Sequence, residues 1–277
     1  MKFKKNTKNI YIFASALTVA STVLLTLSFA LSFDAINGYF TSSALPILFN
    51  VCFTAGILFS LASVLLLPRK EIIKTENSTD DHKLIYIIFA AVLAICSIVV
   101  NLFAFSTYLT IAIAGACFFA LFILLLITKG GYKYSHLKLL FLLLSTLFPV
   151  LINTENSKDM YRHSNSVENM LTSVFVLAFL VYILYEGNRV FSGIHSRWHF
   201  ASMLLLSHTG LSLSISYIVA YIIGGVYEKT RLYQMVLILI VSAFVEFELI
   251  RFVKLSNSHT KEDWDEMETI SQQNSEN

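Results

Sequence analysis

Charged residues are scarce in this chain of 277 residues, and their absence is concentrated in long stretches. Asp, Glu, Lys and Arg make up 14% of the sequence, whereas a soluble domain carries roughly 25%. No Asp or Glu occurs between Asp81 and Glu155, and 56% of all residues are hydrophobic. This composition excludes an ordinary soluble domain.

Other absences exclude further classes of function. The formal net charge is only +2, and the basic residues lie beside hydrophobic segments rather than in one patch, so no nucleic-acid partner is expected. Cys52, Cys96 and Cys117 lie inside apolar runs, which argues against a disulfide framework. The sequence lacks a glycine-rich phosphate loop, a nucleophile elbow, zinc-finger spacing and a dinucleotide fingerprint, so no cofactor is expected.

Apolar runs of about 20 residues recur along the chain, which is the length a helix needs to cross a hydrocarbon core of about 30 Å. They predict an all-α fold, a polytopic membrane helix bundle with eight transmembrane helices, whose partner is the lipid bilayer. The predicted helices cover residues 9–33, 43–67, 84–104, 109–128, 136–153, 169–189, 200–224 and 232–254. The first helix follows a lysine-rich start and resembles a signal peptide, but its apolar run is too long for one, which favours an uncleaved helix. Cleavage would leave seven helices.

The basic residues give the bundle an orientation. With eight spans both termini lie on one side, and all but four of the 20 Lys and Arg residues fall on that side. The four exceptions are Lys158, Arg162, Lys229 and Arg231. Because positive residues mark the cytoplasmic face, both termini are predicted to be cytoplasmic. The Lys-, Asn- and Ile-rich loops favour a bacterial plasma membrane.

Two regions follow from this division. Residues 1–254 form the predicted eight-helix transmembrane domain, and residues 255–277 form an acidic cytoplasmic tail that is predicted to be disordered.

The fifth predicted helix is short and carries Pro149 near its far end. A helix of this kind can be broken at a transport site, but a terminal kink is the simpler interpretation.

The last predicted hairpin, residues 200–254, holds the ionisable side chains that must lie well inside the bilayer. At 1.5 Å per residue, His208 lies about 12 Å and Glu246 about 10 Å below the same face. A hydrogen bond or an ion pair between them is therefore geometrically reasonable. Ser212 shares the face of His208, and Ser242 shares the face of Glu246. These four residues form a candidate intramembrane polar site.

The carboxylate in this site admits two interpretations. A charge in the apolar zone costs a few kcal/mol unless it is paired, protonated or hydrated, and such residues often mark an ion or substrate path. Alternatively, a neutral and hydrogen-bonded Glu246 only fixes two helices together. Glu248 points about 200° away from Glu246 and is expected to pair with Arg251 at i, i+3. Two cooperating carboxylates are not expected, and no residue is assigned a catalytic role.

Polar residues also gather at the predicted cytoplasmic edge, where they could form the mouth of a cavity that leads to His208. The candidate mouth consists of Glu186, Arg189, His195, His199, Glu248 and Arg251. The alternative is an interfacial anchor, because Trp198 and arginines are favoured at membrane surfaces. His195 and His199 have the i, i+4 spacing of some metal ligands, but no carboxylate lies between them and Arg197 opposes a cation, so no metal is expected.

Three functions of different classes remain open from the sequence. The first is a small transporter or transport-associated subunit with a proton- or substrate-responsive site at His208 and Glu246. The second is a membrane sensor or partner-binding subunit without an output domain of its own, which would contact a cytoplasmic or membrane protein through its tail. The third is an intramembrane enzyme that acts on lipid and uses one of the two residues as a base. Neither the ligand nor the oligomeric state follows from the sequence.

Overall fold

The structure is a computed structural model, and it describes residues 4–34, 39–41, 44–67, 73–74, 82–102, 106–127, 134–158, 167–192, 194–224 and 229–275. The described residues form nine helices and four two-residue strands. The helices are α1 (Lys4–Ser32), α2 (Ala44–Leu66), α3 (Lys83–Leu102), α4 (Thr107–Leu126), α5 (Ser135–Leu144), α6 (Leu147–Lys158), α7 (Val167–Ser192), α8 (Arg197–Ile222) and α9 (Lys229–Ser275). The strands are β1 (Phe33–Asp34), β2 (Tyr39–Phe40), β3 (Ile73–Lys74) and β4 (Ile194–His195).

Seven helical segments of the described chain are long and apolar enough to cross a membrane. α5 and α6 together make one of them, Ser135–Glu155, and α9 is not among the seven. The fold is therefore that of a multi-pass membrane protein, as the apolar runs predict.

The outer faces of the helices are apolar as well. Large hydrophobic side chains are exposed on several helices, for example Leu65 of α2, Leu102 of α3 and Leu184 of α7. A protein surrounded by water rarely exposes contiguous apolar surface of this extent. Lipid tails cover such a surface without cost, which explains why these side chains are not turned inward.

α8 is the central helix of the bundle. It packs against α1, α2, α7 and α9, and it is the most buried of the seven segments that could cross a membrane. α1 also packs against α2 and α9, while α3 and α4 pack against each other. Since α8 is surrounded by protein, its small and polar residues face neighbouring helices rather than lipid, which is where polar groups in a membrane are tolerated.

Contacts between distant segments define two ends of the bundle. At the first, here called the terminal end, β3 pairs antiparallel with β4, and Arg197 at the start of α8 donates a hydrogen bond to the Val64 carbonyl near the end of α2. At the opposite end, the Ser106 hydroxyl before α4 donates to Glu155 of α6 at 2.7 Å. The α2–α3 and α7–α8 connections therefore lie together at one end, while the start of α4 lies beside the end of α6 at the other.

Two turn residues interrupt the fifth predicted helix within a single candidate span. α5 ends at Leu144, two turn residues follow, and α6 begins at Leu147. Pro149 has no N–H to offer to the carbonyl of Ser145 four residues earlier, so that carbonyl accepts instead from the Phe148 amide at 3.1 Å. The break thus lies one turn before the proline, which is where the missing hydrogen bond falls.

α9 is longer than the sequence predicts. It continues as backbone helix from Lys229 to Ser275 and so includes residues 255–275, for which a disordered tail is expected. The side chains beyond Lys254 lie outside the described part of the chain.

Candidate functional site

Glu246 is bound by two hydroxyl groups from two other helices. Tyr11 of α1 donates to Glu246 Oε1 at 2.7 Å, and Ser207 of α8 donates to Oε2. No cation contacts this carboxylate among the described residues. The side chain is partly buried, so it lies at the edge of the α1, α8 and α9 junction rather than in the innermost core.

His208 occupies a separate position on α8, between α1 and α2. Its Nδ1 lies 3.0 Å from Thr18 Oγ1, and its Nε2 lies 3.1 Å from the Phe53 carbonyl oxygen. The ring stacks on Phe53 and is 2% exposed. Gly56 makes room for it, because a Cβ at that position would lie 2.2 Å from the imidazole.

His208 and Glu246 are not bonded to each other. Ser207 and His208 are neighbours in sequence but point about 100° apart around α8. Because helices surround α8, that angle turns Ser207 toward Glu246 of α9 and His208 toward Thr18 of α1. The matching depths that the sequence predicts do not bring the two ionisable groups together.

The two predicted serines support the helix junctions in different ways. Ser212 donates a long hydrogen bond of 3.5 Å to the Thr18 carbonyl of α1. Ser242 of α9 faces Gly210 of α8, and within the described chain its buried hydroxyl makes no hydrogen bond. Gly210 allows this close approach, since a Cβ there would lie 1.9 Å from the Ser242 hydroxyl.

Part of the predicted mouth is a buried ion-pair cluster at the terminal end. Arg189 donates through both Nε, at 2.9 Å, and a terminal nitrogen to the two carboxylate oxygens of Glu186. His199 Nε2 lies 2.7 Å from the same carboxylate. Glu186 and His199 are each 1% exposed, so this cluster joins α7 to α8 instead of opening to solvent.

A second part of the predicted mouth joins α9 to α3. The Tyr86 hydroxyl donates to Glu248, and Arg251 donates to the Tyr86 hydroxyl. Arg251 also lies 3.5 Å from Glu248, so the i, i+3 ion pair that the spacing predicts is present.

The remaining residues of the predicted mouth contribute less to these clusters. His195 takes part in β4 through its backbone, and its side chain lies outside what the structure describes. Trp198 is 43% exposed and stacks on Tyr185 at 5.9 Å between ring centroids. That position suits an interfacial anchor. Among the described residues, no group of three His, Cys, Asp or Glu side chains is placed to hold a metal ion.

A buried ion pair at the opposite end was missed by the sequence analysis. Arg231 at the start of α9 donates to Glu168 and, at 2.9 Å, to Asn169, both at the start of α7. Arg231 is 4% exposed and Glu168 is 6% exposed. The sequence does contain one indication of this pair, because Glu168 and Arg231 are charged residues next to the starts of two predicted helices. Nothing in the sequence shows that those two spans lie side by side.

Comparison of the chain with family models, curated proteins and solved structures gives no significant match. The functional argument therefore depends on the geometry of these clusters alone.

Proposed function

We propose that the chain is a bacterial plasma-membrane protein with eight spans and both termini in the cytoplasm. The distribution of Lys and Arg supports this orientation. Residues that this orientation places on the cytoplasmic side also contact one another: β3 pairs with β4, and Arg197 donates a hydrogen bond to the Val64 carbonyl. In this topology the terminal end is the cytoplasmic end, and α9 supplies the eighth span.

Within that topology, the protein is a small transporter or a transport-associated subunit, and Glu246 is its central ionisable group. The observation that carries the proposal is the contrast between Glu246 and the three buried carboxylates of the bundle. Glu168, Glu186 and Glu248 each lie beside an arginine, whereas the partners of Glu246 among the described residues are two hydroxyl groups. A guanidinium supplies its carboxylate with a counter-ion, whereas the two hydroxyls at Glu246 supply none.

The chemistry of the Glu246 site fits a proton or a small cationic substrate. The Tyr11 and Ser207 hydroxyls can donate to an ionised carboxylate, and each can rotate to accept from a cation that replaces that interaction. An ionisable group that faces protein at membrane depth is typical of proton relays and ion paths. Glu246 is partly exposed, so it is not sealed inside the bundle.

A flux measurement tests this proposal. The purified protein is reconstituted into vesicles that contain a pH-sensitive dye, and proton flux is followed after a pH gradient or a membrane potential is imposed. We expect wild-type flux above that of empty vesicles and a loss of at least tenfold in Glu246→Gln. Glu155→Gln is the matched control, because Glu155 also accepts from a serine but lies at the opposite end. Wild-type flux no greater than that of empty vesicles, or equal flux in the two variants, contradicts the proposal.

A partner-binding subunit is the second candidate, and the length of α9 favours it. The helix extends about 30 Å beyond Lys254 at 1.5 Å per residue, which is far enough to leave the membrane and reach a protein in the cytoplasm. This candidate predicts that in-cell cross-linking through residues 255–277 captures a partner that is lost when the tail is deleted. Unchanged cross-linked species after deletion would argue against it.

The intramembrane enzyme gains no support from the site. His208 is 2% exposed, so its ring presents almost no surface to a lipid substrate. A base must lie within hydrogen-bonding reach of the proton that it takes. This alternative stays a prediction, which unchanged membrane lipids in His208→Ala would contradict.

A further inference from the structure

The hydrogen bonds of His208 fix which of its ring nitrogens carries a proton. A carbonyl oxygen only accepts, so the contact of 3.1 Å between Nε2 and the Phe53 carbonyl requires a proton on Nε2. In a neutral ring Nδ1 is then an acceptor. The Thr18 hydroxyl at 3.0 Å is the group that supplies its hydrogen bond.

The Thr18 hydroxyl has a second partner, which makes the arrangement reversible. Its oxygen also lies 3.0 Å from the Ala14 carbonyl of its own helix. The hydroxyl hydrogen can therefore point to Nδ1 or to Ala14. When it points to Ala14, the oxygen presents a lone pair to Nδ1 and can accept a hydrogen bond from a protonated ring.

We infer that His208 Nδ1 is a proton-binding site, and that Thr18 of α1 allows it to load and release a proton without movement of heavy atoms. In the neutral state Thr18 donates to Nδ1. In the loaded state Nδ1–H donates to Thr18, and the Thr18 hydroxyl turns to Ala14. Every polar hydrogen of this group has an acceptor in both states, so neither state leaves an unsatisfied donor on a ring that is 2% exposed.

Charged groups near α8 do not take part in this exchange. Tyr11 of α1 and Glu246 of α9 are bonded to each other, and Glu186 of α7 is bonded to Arg189 and His199. Cys52 is the titratable side chain of α2 and is partly buried. Among the described residues, the two nitrogens of the His208 ring contact the Thr18 hydroxyl and the Phe53 carbonyl rather than any of these groups.

The bound proton would alter the contact between α1 and α8. Loading replaces a neutral hydrogen bond by one from a cationic ring, which is roughly twice as strong. A coupling between this proton and transport would rest on the proposed function, because it makes the proton a ligand of the helices that also hold Glu246. The binding of a proton to Nδ1 does not rest on that function, and it is tested by protonation alone.

The test is nitrogen NMR of the full-length protein in lipid bilayers, with ¹⁵N-labelled histidine and the His208 signals assigned by their loss in His208→Gln. We expect a neutral ring protonated on Nε2 near neutral pH and a doubly protonated ring on acidification. We expect Thr18→Val to lower the proton affinity of the ring about tenfold or more, because the loaded Nδ1–H then has no acceptor. Thr18→Ser, which keeps a hydroxyl, should restore it.

Thr26→Val is the matched control, because the Thr26 hydroxyl donates only to the Thr22 carbonyl of its own helix. A neutral ring protonated on Nδ1, or a ring that stays neutral on acidification, overturns the inference. Equal proton affinities in Thr18→Val and Thr26→Val overturn it as well. The wild-type spectra decide the tautomer even if a variant does not fold. Absence of flux in vesicles contradicts the proposed transport function and leaves this result intact.

Discussion

Gly56 of α2 lies directly against the ring of His208 in α8. A methyl group on residue 56 would come within 2.2 Å of both Cε1 and Nε2 of the imidazole. The bond from Nε2 to the Phe53 carbonyl, three residues earlier in α2, needs this close approach. A glycine one turn from the accepting carbonyl is thus part of how the histidine is placed.

The first prediction concerns this contact. Gly56→Ala should displace the ring and destabilise the protein by about 1–3 kcal/mol, because overpacking a filled core forces side chains out of their rotamers. Thermal unfolding of the purified protein in detergent measures the loss. Gly187→Ala is the control: its new methyl group meets the end of the Leu139 side chain at 3.3 Å, which can shift. Equal stability of the two variants would contradict the prediction.

A second prediction concerns the break between α5 and α6. Gly115 of α4 packs against it, and a Cβ there would lie 2.4 Å from the Phe148 backbone nitrogen. Backbone cannot move aside as a side chain can, so Gly115→Ala should cost more than Gly56→Ala. The same unfolding measurement ranks the two variants. Wild-type stability of Gly115→Ala would contradict the close approach of α4 to the backbone of Phe148.

A third prediction concerns the ion pair at the opposite end. Arg231→Ala should destabilise the protein by about 3 kcal/mol or more, because it leaves the buried Glu168 carboxylate without its guanidinium. Glu168→Gln in the same chain should recover part of that loss, since it removes the stranded charge. A double-mutant cycle measures the coupling between the two positions. Additive effects would show that the charges do not interact.

A fourth prediction concerns the hydroxyl that links α3 to α9. Tyr86→Phe removes the group that donates to Glu248 and accepts from Arg251, and it should destabilise the protein by about 1–3 kcal/mol. Tyr185→Phe is the control, because Tyr185 contributes a ring that stacks on Trp198. Chemical denaturation compares them. A larger loss in Tyr185→Phe would refute the role given to the hydroxyl.

The helices and the pairs within one helix could be predicted from the sequence. Apolar runs locate the spans, and helical periodicity places Glu248 beside Arg251 and away from Glu246. Pro149 indicates the interruption between α5 and α6 to within one turn. These features depend on residues that are close in sequence, where the geometry of a helix fixes the distances.

Partners on different helices could not be predicted in this way. Tyr11 and Glu246 are 235 positions apart, and Arg231 and Glu168 are 63 apart. The hydropathy of a helix indicates that it can lie in the bilayer but carries no information about which helices are its neighbours. Matching depth on adjacent antiparallel helices makes a pairing of His208 with Glu246 geometrically reasonable. The angle of 100° between Ser207 and His208 decides against it.

The contact of α1 with both α8 and α9 has a consequence for biosynthesis. The ribosome makes the chain from its N-terminus, so α1 enters the membrane long before the segments that carry His208 and Glu246 exist. The hydroxyls of Tyr11 and Thr18 can form their hydrogen bonds to Glu246 and His208 only after α8 and α9 have been inserted. A nascent chain that stops before α8 therefore leaves the first helix packed on α2 but without its contacts to α8 and α9, which form only when that hairpin is inserted.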